Sequence, residues 1–104
     1  MGILSALFGK TDKQAVVTAI QEGAFLVDVR TPAEFAAGSA QGAVNIPLDR
    51  LQSQLSKFRG KKSILVFCRS GARSSQAKSI LEQNGFRNVI NGGALQNVLR
   101  AVNG

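Results

Sequence analysis

The chain has 104 residues, 44% of them apolar types and 18% charged, the composition of one small folded domain and not of a disordered tail. Thirteen basic residues against six acidic ones give a net charge of +7, and His, Trp and Tyr are absent. Without His, Ser-His-Asp and Cys-His catalysis and His metal sites are excluded; with one Cys, so are an internal disulfide, a C-x-x-C redox pair and a cysteine zinc cluster. No metal and no cofactor is expected, and any thiol chemistry must use Cys68.

Ile3 to Phe8 is largely apolar but spans six residues, with no basic stretch before it and no clear cleavage site after it. It is far short of the roughly 20 apolar residues of a membrane span. Residues 1–10 are read as an N-terminal extension and 11–104 as the domain. One unpaired Cys suggests a reducing, cytoplasmic location.

Thr11-Asp12-Lys13-Gln14 fits a capping box with Thr11 as N-cap, followed by Val16, Val17, Ala19 and Ile20 at helical spacing and a stop at Gly23. Residues 24–29 form a nearly continuous apolar run, the signature of a strand buried on both faces. Thr31-Pro32-Ala33-Glu34 is a second capping box, with Pro32 at the first helical position and Glu34 as capping carboxylate; Gly38 stops this helix. Residues 43–46 read as a short strand ended by Pro47. Leu48, Leu51, Leu55 and Phe58 keep helical spacing up to Gly60.

Residues 63–67 are the strongest strand, with Cys68 at its C-terminal end. Ser74 or Ser75 is expected to cap a helix carrying Ala77, Ile80 and Leu81 and closed by Gly85. Residues 88–90 form a last strand, and Gly92-Gly93 leads into a final helix with Leu95, Val98, Leu99 and Val102. Strands alternating with helical segments predict an α/β domain, a central parallel sheet with helices on both faces. Ligands of such sheets bind at the carboxyl ends of the strands, where this reading puts Cys68.

Between that strand and its helix lies Cys68-Arg69-Ser70-Gly71-Ala72-Arg73. A short loop wrapping into a helix N-terminus aims several backbone N–H groups at one point and makes an anion cradle. Gly71 permits a left-handed or close-approach backbone, and Arg69 and Arg73 add guanidinium groups suited to a multi-oxygen anion. The same field lowers the pKa of a thiol, so the thiolate forms without imidazole. This chemistry requires a sulfur that solvent can reach. The competing reading of a lone Cys after an apolar strand is a buried structural residue.

Four motifs in order resemble a single-domain rhodanese, a sulfurtransferase module. They are Asp28-Val29-Arg30-Thr31-Pro32-Ala33-Glu34-Phe35, Gly42-Ala43-Val44-Asn45-Ile46-Pro47, Cys68-Arg69-Ser70-Gly71-Ala72-Arg73-Ser74 and Asn91-Gly92-Gly93. The resemblance runs from about Lys13 onward and implies a rhodanese-like three-layer fold. It implies that Cys68 forms a persulfide and that Arg69, Ser70, Gly71, Ala72 and Arg73 bind the substrate. The short loop favours sulfur over phosphate or arsenate. Ser39 stands where the family usually has His, and Ala94-Leu95-Gln96-Asn97 where Trp is frequent.

The implied reaction moves sulfane sulfur from thiosulfate or a similar donor to cyanide or a thiol. Its alternative is a non-catalytic persulfide carrier or binding module serving a protein partner. A phosphatase would need a general acid for its leaving group, which no Asp suggests. Expected partners are small sulfur-containing anions and a thiol-bearing protein acceptor, with no nucleic acid and no membrane span. Lys57, Arg59, Lys61 and Lys62 read as solvated surface, since only Phe58 interleaves them. Asp28 and Arg30, at a strand end, are supporting residues that shape the loop or, on the preferred reading, form a structural ion pair.

Overall fold

A computed structural model describes residues 12–103. The expected cap at Thr11 and the extension over residues 1–10 lie outside the described residues. Helix α1 spans Lys13–Gln21 and is capped by Asp12, not Thr11: its carboxylate accepts from the backbone N–H groups of Gln14 and Ala15 at 3.0 and 3.2 Å. A carboxylate there satisfies two of the helix's orphan donors and sits at the positive end of its dipole.

Strand β1 is Phe25–Asp28, and α2 is Pro32–Ala36. The second capping box forms as expected, with Thr31 Oγ1 accepting from Glu34 N–H at 3.2 Å and Glu34 Oε1 accepting from Thr31 N–H at 2.9 Å. Strand β2 is only Val44–Asn45, at the sheet edge. The segment Leu48–Phe58 is not an α-helix. It is a 3₁₀ segment broken at Gln54, whose φ of −123° is non-helical. Its apolar spacing still serves its purpose, since Leu51 and Phe58 are completely buried.

Strand β3 is Ile64–Cys68, α3 is Ala72–Gln83, β4 is Val89–Ala94 and α4 is Leu95–Asn103. The cap of α3 is neither Ser74 nor Ser75. Gly71 occupies that position in the left-handed conformation, φ +104°, with no side-chain cap bond. Strand β4 is longer than residues 88–90. Val66 pairs with Asn91 and Phe67 with Gly93, so Gly92 is an extra residue, a bulge. A Cβ at Gly92 would lie 2.6 Å from the Leu65 Cδ2 atom, which explains the missing side chain.

All four strands are parallel in the order β2-β1-β3-β4. Strand β3 is buried along its whole length, as its apolar run predicts. Its alternate residues feed two cores. Ile64, Val66 and Cys68 pack with Leu51, Phe58, Ala77 and Leu81 beneath the 3₁₀ segment and α3. Leu65 and Phe67 pack with Val16, Ala19 and Val98 beneath α1 and α4. The result is the expected three-layer α/β arrangement, with the carboxyl end of β3 delivering Cys68 to the start of α3.

Candidate active site

Cys68 ends β3 with its side chain on the α3 side of the sheet. The chain then turns through Arg69 and Ser70 and enters α3 at Gly71. The left-handed backbone of Gly71 folds the loop back so that its N–H donates to Cys68 Sγ at 2.9 Å. The N–H of Ser74 donates to the same sulfur at 3.4 Å. The thiol in turn lies 3.6 Å from Ser74 Oγ. Burial pushes the Cys68 thiol up, but the Ser74 hydroxyl and the backbone N–H groups of Ser74, Gly71 and Ser70 outweigh it, and the net direction is down from the ordinary thiol value. Two peptide N–H groups, one at the entry to α3 and one in its first turn, thus converge on the sulfur.

One expectation fails. The sulfur is not open to solvent: Cys68 is 0% exposed. The cause is that β3 is covered on both faces: residue 68 shares the α3-side core with Ile64 and Val66, beneath a loop whose Gly71 N–H bonds the sulfur. The unbroken apolar run that ends at Cys68 is the sequence signal for that burial.

The two loop arginines part company. Arg69 is exposed. Arg73 places both arms of its guanidinium on Glu34, at 2.7 and 3.0 Å. Glu34 therefore does more than cap α2: it ties the loop to the chain segment after β1. Arg73, with the Thr31 N–H as the second contributor, lowers the Glu34 carboxyl to about 2. Beside this pair opens a cleft of about 300 Å³ lined by Val29, Thr31, Pro47, Leu48, Asp49 and Arg73.

Asp28 and Arg30 form a buried ion pair, with Arg30 Nη2 2.7 Å from Asp28 Oδ2. The hydrogen bond from Arg30 to Asp28 raises the guanidinium pKa, partly offset by burial. The pair is fully dressed. Arg30 Nη2 also donates to Gly38 C=O at 2.7 Å, and Ser39 Oγ donates to Asp28 Oδ2 at 2.7 Å. Ser39 thus helps satisfy the buried carboxylate. Lys57, Arg59, Lys61 and Lys62 are all exposed, as read, and Lys61 Nζ lies 4.6 Å over the Phe25 ring.

Sequence reasoning missed Asn91 as part of the site. Its Oδ1 lies 2.7 Å from Ser74 Oγ. The adjacent glycine pair was the available signal, since a bulge next to a functional loop re-aims a side chain.

The model of the rhodanese-like domain family matches residues 12–94. The chain belongs to the rhodanese-like domain family. A protein of Allochromatium vinosum named sulfurtransferase is 40% identical over 70 residues, covering 67% of this chain and 65% of that protein. The thiosulfate sulfurtransferase PspE of Escherichia coli is 35% identical over 74 residues, covering 69% of this chain and 71% of the other. The chain thus spans about two thirds of these relatives' length. Among solved structures, a rhodanese with anions from E. coli superposes with a TM-score of 0.67 at 34% identity, over 72% of this chain and 91% of that one. The rhodanese fold is therefore shared. No helix among the described residues is long and apolar enough to cross a membrane.

Proposed function

We propose that this rhodanese-like protein is a sulfurtransferase that carries sulfane sulfur as a persulfide on Cys68. The observation behind it is a single sulfur at the end of β3, held at 2.9 and 3.4 Å by the N–H groups of Gly71 and Ser74. Sulfurtransferase relatives support the same reading. The single free thiol suits a reducing, cytoplasmic setting.

The donor is thiosulfate or a similar sulfane-sulfur anion. The Cys68 thiolate attacks the outer sulfur, forming a new S–S bond. The donor's own S–S bond breaks with its electron pair leaving on sulfite, so no proton has to be supplied. The persulfide anion then occupies the cradle, where peptide N–H groups and the positive end of α3 stabilise its charge. Cyanide or a thiol attacks the terminal sulfur, and the Cys68 thiolate is released. This is covalent catalysis with a nucleophile activated by hydrogen bonds in place of a general base. Arg69, Ser70, Gly71, Ala72 and Arg73 form the substrate-binding loop, and Asp28 and Arg30 support it. Because Cys68 is buried at rest, the loop must yield to admit the donor's outer sulfur.

The test is thiocyanate formation from thiosulfate and cyanide, with Cys68→Ser as control. Turnover that vanishes in the variant supports the enzyme. Sulfur uptake on Cys68 without thiocyanate would make the protein a carrier. Hydrolysis of phosphate esters with neither result would overturn the assignment.

A further inference from the structure

Ser74 has one hydroxyl proton and three acceptors in reach. Asn91 Oδ1 is at 2.7 Å, the Gly71 carbonyl at 3.0 Å and Cys68 Sγ at 3.6 Å. The shortest contact is with Asn91. The Asn91 amide cannot be turned over without loss. Its Oδ1 also accepts the Gly93 N–H at 2.9 Å, which a flipped NH₂ group would meet donor to donor. Its Nδ2 lies 3.0 Å from Ser75 Oγ, a contact that suits the same orientation. Asn91 stands immediately before the bulge at Gly92.

Building on the Cys68 reading above, we propose that Asn91 is a positioning residue which acts through Ser74 and competes with the Cys68 sulfur for the Ser74 hydroxyl proton. In the thiol form the chain of bonds runs from the Cys68 S–H to Ser74 Oγ and from the Ser74 O–H to Asn91. Once Cys68 is a thiolate, either free or leaving the persulfide, its S–H donor is gone. The Ser74 hydroxyl turns to the sulfur, and Asn91 keeps the Gly93 N–H as its partner. The hydroxyl moves by rotation about one bond, and no proton leaves oxygen. Asn91 thereby restrains the thiolate from being over-stabilised, which preserves its nucleophilicity toward the donor, while Ser74 supports it as a leaving group.

The surroundings leave room for this effect. Strand β4, on which Asn91 stands, contains no charged residue. On α3 the nearest charge to the loop is Arg73, which is paired with Glu34 of α2. At the end of β1 the charges are Asp28 and Arg30, paired with each other, and the charged residues of the 3₁₀ segment, Asp49, Arg50 and Lys57, are exposed. Within the loop Arg69 is exposed.

The experiment follows the ultraviolet absorbance of the thiolate against pH, without substrate, in the whole protein. Ser74→Ala is expected to move the Cys68 midpoint up. Asn91→Ala is expected to move it down, and Ser75→Ala, which loosens the amide from an exposed position, to move it down by less. In a Ser74→Ala background the Asn91 substitution should have no effect on the midpoint. Sulfur transfer to a thiol acceptor should fall about tenfold in Ser74→Ala, the loss of one hydrogen bond to a charged group. An unchanged midpoint in both Asn91→Ala and Ser75→Ala, or an Asn91 effect that persists without Ser74, overturns the proposal. Should Asn91→Ala fail to fold, Ser75→Ala decides the matter. Failure of the Cys68 reading shows separately, as wild-type protein that takes up no sulfur.

Discussion

Arg73 and Glu34, 39 residues apart in sequence, form a two-pronged ion pair at 2.7 and 3.0 Å that fastens the first turn of α3 to α2. The pair has the parallel geometry that makes arginine and carboxylate a directional match. It converts a local capping motif into a brace for the loop around Cys68. Lysine at position 73 would keep the charge and lose the fork.

That brace titrates. The Glu34 carboxyl is about 2 when folded and near 4.5 when free. The stabilisation is therefore fully present above about pH 4.5 and is lost as the pH falls toward 2. Denaturant melts of the wild type are expected to lose stability across that window. Glu34→Gln should be less stable than wild type at neutral pH and show a flatter dependence between these limits. Parallel curves for the two proteins would contradict the assignment.

The ion pair of Asp28 and Arg30 is different in kind, since both side chains are buried. Arg30→Met would leave the Asp28 carboxylate with Ser39 Oγ and the residue 30 backbone N–H as its remaining donors. Removing one member of such a pair costs about 3–5 kcal/mol. Equilibrium unfolding in urea should show that loss. A change below about 1 kcal/mol would mean that the charge is not buried in solution.

Two glycines are held by geometry. At Gly71 the φ of +104° disfavours any side chain, although the nearest atom to a new Cβ, Gly93 Cα, is at an ordinary 3.7 Å. Gly71→Ala should therefore cost about 1–2 kcal/mol of backbone strain and displace the N–H that holds Cys68 Sγ. At Gly92 the obstacle is contact, 2.6 Å to the buried Leu65 side chain and 3.3 Å to the Val66 carbonyl. Gly92→Ala is expected to lower stability by about 1–3 kcal/mol through overpacking. Thermal melts and thiosulfate turnover together separate the cases. Gly71→Ala should lose far more turnover than its stability change explains.

The sequence makes β3, the loop and α3 legible because each rests on local chemistry. An apolar run, a terminal Cys and a Gly-containing basic hexapeptide need no knowledge of the rest of the chain. The pair of Asp28 and Arg30 is legible for the same reason, as two charges on a buried strand end that must satisfy each other. What was hidden depends on distant partners. The N-cap of α3 was misplaced because a left-handed Gly71 takes that position while the Ser74 hydroxyl turns to Asn91, 17 residues on. The 3₁₀ geometry of Leu48–Phe58 was hidden because apolar spacing alone does not separate two kinds of helical turn. The bulge at Gly92 was hidden because register is a property of two strands, not one. Burial of the sulfur was within reach, since the unbroken apolar run of β3 marks a strand covered on both faces.

The persulfide on Cys68 is tested most directly by intact-protein mass spectrometry after incubation with thiosulfate and removal of excess donor. The account predicts a gain of one sulfur atom per chain, absent in Cys68→Ser and reversed by cyanide. A wild-type mass that stays unchanged, or a gain that survives in Cys68→Ser, would contradict it.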